Sequence, residues 1–416
     1  MVAMPKKFKR RRSSVFHKRN TRPLKILGWC VAGVLVVCSG VLVAKWAMTD
    51  PFTPAPTSSA ADPESGTAVS SDPPSTSSET PEPEPQPGNG TAEGLRAVTI
   101  DTALLSDTVA LDAFLGQAAE AGFNSVVFDL KDDKGCLLYA SAIEQGTAVP
   151  RTQASRLGVE NVLPLDTLLS AAAHLREQGF EPVPRLYAFK DQVAPYALAN
   201  VKIGVEGSSA SVWHDANPSK GGVPWMNPCS EEAHQYMEAL VQELKTAGFS
   251  SVLLDGVQFP DREYSADYGT SELAALPRGQ VLSRFVGGIR EILGDGLIVG
   301  MPALAATGDA TKPFGDNPMV LGSPNAAPLV EAAQFTGELT IGGETIANPA
   351  ASPYDTVRRL LEQLKRRIAL MDADEQPLLL PVIGSAEEVD AVRDVLGASA
   401  PYLYQPVSGQ TDFSGF

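Results

Sequence analysis

The sequence is poor in cysteine and histidine, with four of each in 416 residues. HExxH, CxxC, G-x-S-x-G and G-x-x-x-x-G-K-[ST] are all absent, which argues against zinc peptidases, dithiol redox enzymes, serine hydrolases of the nucleophile-elbow type and P-loop nucleotide chemistry. His17, His174, His214 and His234 lack ligand-like spacing, so neither a catalytic metal nor a cofactor is expected. Cys30 and Cys38 fall in an apolar run. Cys136 and Cys229 remain, as one disulfide or two thiols. Basic charge is scarce where it would matter for nucleic acid. Residues 94–416 carry 41 acids against 22 bases, an acidic body unsuited to binding phosphate backbones.

The net charge of −16 averages three different segments. Residues 1–45 carry 11 bases and no acids, and residues 46–93 carry 8 acids and no bases. Residues 26–44, ILGWCVAGVLVVCSGVLVA, are 19 uncharged, mostly apolar positions, about 28 Å as a helix and enough to cross a bilayer core. The run exceeds a secretory h-region, and no small-x-small cleavage site follows it. The bases before it predict a signal-anchor over 26–48 with a cytoplasmic basic tail at 1–25 and the body outside the cell. Ten prolines among Ser, Thr, Asp and Glu make 49–93 a disordered, extended spacer.

From residue 94 onward, short apolar runs alternate with amphipathic helical patterns. Strands are predicted at 97–102, 124–130, 181–189, 249–255, 297–304, 331–336, 377–383 and 401–406. Helices are predicted at 107–121, 164–178, 229–246, 278–293, 353–371 and 385–396. Val357, Leu360, Leu361, Leu364 and Ile368 mark one helix face. Eight strands joined through helices predict an α/β fold, a single (β/α)8 barrel over 94–416. Turns before the strands are tight (Gly122–Phe123, Gly179–Phe180, Gly248–Phe249), whereas the connections after them are long. One end of the barrel is therefore elaborated, and barrel enzymes place their chemistry there. AGFNSVVFD (121–129) and AGFSSVLLD (247–255) repeat one unit, each ending in an acid.

Reading the strand ends gives the candidate residues. Asp255 is the leading acid and Asp129 the next, and either can also be read as a salt-bridged or loop-capping carboxylate. Lys131 and Asp132, then Arg185, Tyr187, Lys190 and Asp191, then Gln258 and Tyr404 are candidates for holding substrate. Trp213 and Trp225 are candidates for sugar stacking or loop packing, and Glu338 is a further acid. Paired carboxylates with flat aromatics and amides are what a sugar-processing cleft requires.

NSVVFDLKDDKG (124–135), PRLYAFKD (184–191), PWMNP (224–228) and LLDGVQFPD (253–261) resemble the putative glycoside hydrolase family of bacterial (β/α)8-barrel proteins. The resemblance is good over 96–261 and fades after about 300. It covers Asp129, Lys131, Asp132, Gly135, Phe189, Lys190, Asp191, Trp225, Asn227 and Pro228, then Asp255, Phe259 and Pro260. It departs at Gly256 and Gln258, where the family has Tyr and Arg, and in the late strands (334–340, 378–384, Tyr402 and Tyr404). The resemblance implies hydrolysis of a cell-wall or environmental glycan by two carboxylates. Asp255 would be nucleophile or base, and Asp129 or Glu338 its acid partner. The alternative is an inactive barrel that binds glycan or a protein partner at the cell surface.

Overall fold

The computed structural model describes residues 92–416, apart from 161, 316 and 408–410. The predicted tail, anchor and nearly all of the spacer lie outside the described residues. Among the described residues, no helix is long and apolar enough to cross a membrane.

The described chain is a closed parallel barrel. Its strands are β1 (Arg96–Ile100), β2 (Ser125–Lys131), β3 (Glu181–Tyr187), β4 (Val252–Asp255), β5 (Leu297–Pro302), β6 (Asn325–Leu329), β7 (Leu378–Leu379 resuming at Val382–Ile383) and β8 (Tyr402–Tyr404). Each pairs with its neighbours in parallel register, and β8 closes on β1 through Arg96↔Tyr402, Ala97↔Leu403 and Val98↔Tyr404. The connecting helices are α1 (Thr108–Glu120), α2 (Leu165–Glu177), α3 (Glu231–Thr246), α4 (Arg278–Leu293), the short α5 (Ala303–Thr307), α6 (Pro353–Ile368) and α7 (Ala386–Leu396). The apolar face of α6 buries Val357, Leu360, Leu361 and Leu364, as the periodicity predicts.

Successive side chains on a strand face opposite ways, and that period divides the apolar residues into two cores. One lies between strands and helices. The other fills the barrel with Ala97, Val127, Val183, Leu253, Ile298, Ala327, Leu380, Val382 and Leu403, at least one from every strand. Ala92 and Leu95 join this inner cluster and plug the end where the strands begin. Two residues beyond the plugged layers, the inward positions become Asp129, Arg185, Asp255, Gly300, Leu329 and Gln405. The same alternation that packs the barrel thus sets polar groups at its mouth.

Two late strands differ from expectation. The sixth strand is Asn325–Leu329, and 331–336 instead contains the turn Ala332–Gln334. Asn-Ala-Ala-Pro-Leu lacks the β-branched residues that advertise strands, and it pairs because small residues fit between β5 and β7. Pro381 has no N–H to donate, so β7 breaks into two halves around it.

A buried strut joins β2 to the loop after β3. The β2–β3 register shifts between Asp129 and Lys131, a bulge that re-aims Lys131. Its Nζ donates to Tyr187 O (2.6 Å) and Ala188 O (3.2 Å) and lies 2.8 Å from Asp191 Oδ2, with both side chains fully buried. Asp191 Oδ1 accepts from the amides of Val193 and Ala194, both at 2.7 Å. A Cβ at Gly135 would sit 2.0 Å from Asp191 Oδ1, and Gly135 has φ +85°, so only glycine fits. Breaking a buried pair leaves an uncompensated charge. Lys131→Met is expected to cost about 3–5 kcal/mol in chemical denaturation, and Lys131→Met with Asp191→Asn is expected to recover most of that loss.

Candidate active site

The mouth opens into a cleft of about 520 Å³ whose walls are the upper inward positions of β3 to β8. On the β5 side it stays hollow because Gly300 contributes no side chain there. A Cβ on Gly300 would lie 3.0 Å from Asp255 Cγ, so the missing side chain is the space the carboxylate occupies. Asp255 Oδ1 accepts the Gly256 amide at 2.7 Å. Burial raises the Asp255 carboxyl above its usual range, with the nearby Asp129 charge adding to it and Arg185, the Gly256 amide and Lys190 opposing.

Arg185 organises the floor. Its Nε donates to Asp129 Oδ1 at 2.5 Å, its Nη1 donates to Gln405 Oε1 at 2.6 Å, and its guanidinium lies 5.3 Å from the Tyr187 ring centroid. Burial works against its charge, and Asp129, Tyr187 and Asp255 more than restore it, holding Arg185 above its ordinary value. Burial and the Asp255 charge push the Tyr187 hydroxyl up. Asp129 on β2 and Asp255 on β4 stand two strand spacings apart, about 10 Å between backbones. Both side chains point inward, with Arg185 on β3 between them.

The structure sorts the remaining candidates. Arg185, Tyr187, Asp255 and Gln258 line the cleft together. Lys131 and Asp191 are locked in the strut, and Asp132 caps its own loop by accepting the amides of Lys134 (3.0 Å) and Cys136 (2.7 Å). Lys190 pairs with Asp133 at 3.3 Å on the exposed rim. Trp213 and Trp225 are buried in loop packing, their indole N–H groups donating to Tyr264 O (2.9 Å) and Asp215 Oδ2 (3.2 Å). Tyr404 faces the helix layer, against Phe123 and Phe416, and its hydroxyl donates to Asp412 O. Glu338 is exposed beside the hairpin Leu339–Ile341/Glu344–Ile346, away from the cleft wall, because β6 ends earlier than expected. Cys136 and Cys229 are buried free thiols, pushed by burial to about 12 and about 11, so they stay protonated. Among the described residues, no group of three His, Cys, Asp or Glu is placed to hold a metal ion.

Two acids of this end escape sequence reasoning. Glu331 lies two residues past Leu329, on the inward period of β6, and its side chain covers Gly384, whose added Cβ would sit 2.7 Å from Glu331 Cγ. Glu388, in the first turn of α7, accepts the amides of Ala332 (2.9 Å) and Gly384 (2.6 Å). Burial, with the Glu331 charge adding to it, raises Glu388 from 4.5 to about 7. Placing β6 correctly would have exposed Glu331 by counting in twos from Ala327. Nothing in the local sequence distinguishes Glu388 from a helix-start acid.

The fold and this mouth define a (β/α)8 barrel with a carboxylate-bearing cleft at its C-terminal end. Residues 97–383 match the family described as "Putative glycosyl hydrolase domain", and the chain belongs to that family. The match continues through 300–383, where the motifs are hard to read by eye. No curated protein matches significantly. Among solved structures, a hypothetical protein from Ruminiclostridium thermocellum is 18% identical with a TM-score of 0.38, covering 49% of this chain and 96% of its own. The GH20 β-N-acetylhexosaminidase of Streptomyces coelicolor A3(2) is 11% identical with a TM-score of 0.42, covering 70% of this chain, which spans 48% of that enzyme. The pneumococcal virulence factor StrH is 9% identical with a TM-score of 0.43, covering 78% and 81%.

Glu388 gives a pH test. Its carboxyl is raised on folding, so between about 4.5 and about 7 the folded state holds a proton that the unfolded chain has released. That proton makes the fold lose stability as pH rises through this window, by up to about 3 kcal/mol. Glu388→Gln is expected to flatten that part of the stability–pH curve, measured by denaturation across the window.

Proposed function

We propose that the barrel hydrolyses glycosidic bonds, with Asp255 as general acid and Asp129 as the second carboxylate, acting as base or nucleophile. The observation that carries this reading is the contrast between two acids in one mouth. Asp255 is desolvated against Gly300 with its charge disfavoured, while Asp129 is ion-paired with the Arg185 guanidinium. A desolvated carboxyl is suited to give a proton, and a second carboxylate across the mouth is suited to act as base or nucleophile. Tyr187, Gln258 and Gln405 would bind sugar hydroxyls beside them. The family assignment supports the reaction class. The basic tail, the apolar run at 26–48 and the proline-rich spacer support a cell-surface location, with the barrel outside the membrane.

Turnover of a glycan panel by the full-length chain tests this. Asp255→Asn is expected to lower kcat about 10²–10⁴-fold, the usual worth of general acid–base catalysis, with melting unchanged or higher. Gly300→Ala, which crowds the Asp255 carboxyl, is expected to lower kcat while the barrel remains folded. Equal turnover by the Asp255→Asn variant would refute the assignment. A second reading is a binding barrel without turnover. It is favoured by the burial of Trp213 and Trp225, which leaves the cleft without these stacking rings. Binding that Asp255→Asn leaves intact, with no turnover of any glycan, would select it.

A further inference from the structure

A second cavity opens at the C-terminal end of the barrel, apart from the cleft. It measures about 630 Å³, within the span of about 300–1,000 Å³ usual for small-molecule sites. One wall is the turn after β1, with Asp101, Thr102 and Ser106. The other is the connection between β2 and α2, with Leu138, Leu163 and Pro164. Asp101 Oδ1 accepts the Ala103 amide at 2.8 Å, and the Ser106 hydroxyl bonds to no described residue. One wall is therefore polar with unused capacity, and the other is apolar.

This cavity adjoins the mouth. Ala97 packs inside the barrel, and Asp101 follows four residues on in extended backbone (φ −69°, ψ 132°), so the period of two keeps it on the inward side. Asp129 joins the two hollows. Its carboxylate meets Arg185, which lines the cleft, and its carbonyl oxygen accepts the hydroxyl of Thr102, which lines the second cavity, at 2.5 Å. The cavities thus flank one of the two carboxylates of the proposed reaction. A pyranose has an apolar face of C–H groups and an edge of hydroxyls. The leucine wall would cover the face, and the Asp101–Ser106 wall would bond the edge. Arg185 is the one cation lining either hollow, and Asp129 already holds it, so an anionic chain gains no partner.

We propose that this second cavity is a further sugar subsite, so that the barrel's ligand is a neutral chain of several sugars held both in the cleft and beyond Asp129. This rests on the glycan-processing reading for its ligand class, but its binding test does not require turnover. Binding energy gained in the second cavity, away from the bond that breaks, is available to hold and distort the sugar in the cleft.

The probes are cellohexaose with cellobiose, and chitohexaose with chitobiose, titrated calorimetrically into the full-length chain carrying Asp255→Asn so that the sugars stay intact. In one series the hexasaccharide is expected to bind about tenfold more tightly than the disaccharide. Adding Ser106→Trp, an exposed position whose indole would fill the second cavity, is expected to erase that preference and leave disaccharide binding within about twofold. Ser106→Ala is expected to keep most of the preference. Ala103→Trp, at another exposed lining position, gives a second reading should Ser106→Trp fail to fold. No length preference in either series overturns the proposal, and so does a preference that survives both tryptophans. A length preference lost with the tryptophans, in a chain whose wild type turns over no glycan, upholds the subsite and refutes hydrolysis alone.

Discussion

The Lys131–Asp191 ion pair is the constraint on which the mouth depends. It spans the ends of β2 and β3, and it can exist only because the bulge in β2 turns Lys131 away from the barrel interior and Gly135 leaves space for Asp191. With those ends tied, Asp129 and Arg185 meet directly across the same strand pair. Arg185 then reaches Gln405 on β8 and orders the floor on which Asp255 stands. Conspicuous charged residues of the early motifs thus act below the surface. They position the groups that would touch a sugar.

The cleft itself is a gap in a packing pattern. Below it, apolar side chains fill the barrel from wall to wall. Above that, Gly300 withdraws on one side, and the neighbouring strands supply Asp255, Arg185 and Gln405. A cavity made by a glycine needs no distortion of the backbone. It also places a carboxyl in poorly solvated surroundings, which is the physical origin of the raised Asp255.

Much of this was legible in the sequence, and the failures have physical causes. The early strands are rich in Val, Leu and Phe and end in acids, so the barrel and Asp255 could be placed from pattern alone. β6 could not, because Asn-Ala-Ala-Pro-Leu forms a strand through its neighbours' register and not through its own propensity. That displacement carried the search for a second late acid to Glu338 and past Glu331. The same limit hid the fates of Lys131, Trp213 and Trp225. Residue type announces that a side chain can bind a sugar, but only the bulge and the loop packing decide whether it faces one.

The plug of Ala92 and Leu95 has a mechanical consequence. The chain enters the barrel at the end opposite the cleft and passes at once into β1, which is bonded on both edges, to β8 and to β2. A pull applied through residue 92 therefore runs along the strand and loads both parallel ladders in shear, sharing the force among many hydrogen bonds. Tension on the leading segment is borne by the closed wall of the barrel, while the loops that shape the cleft lie at the unloaded end.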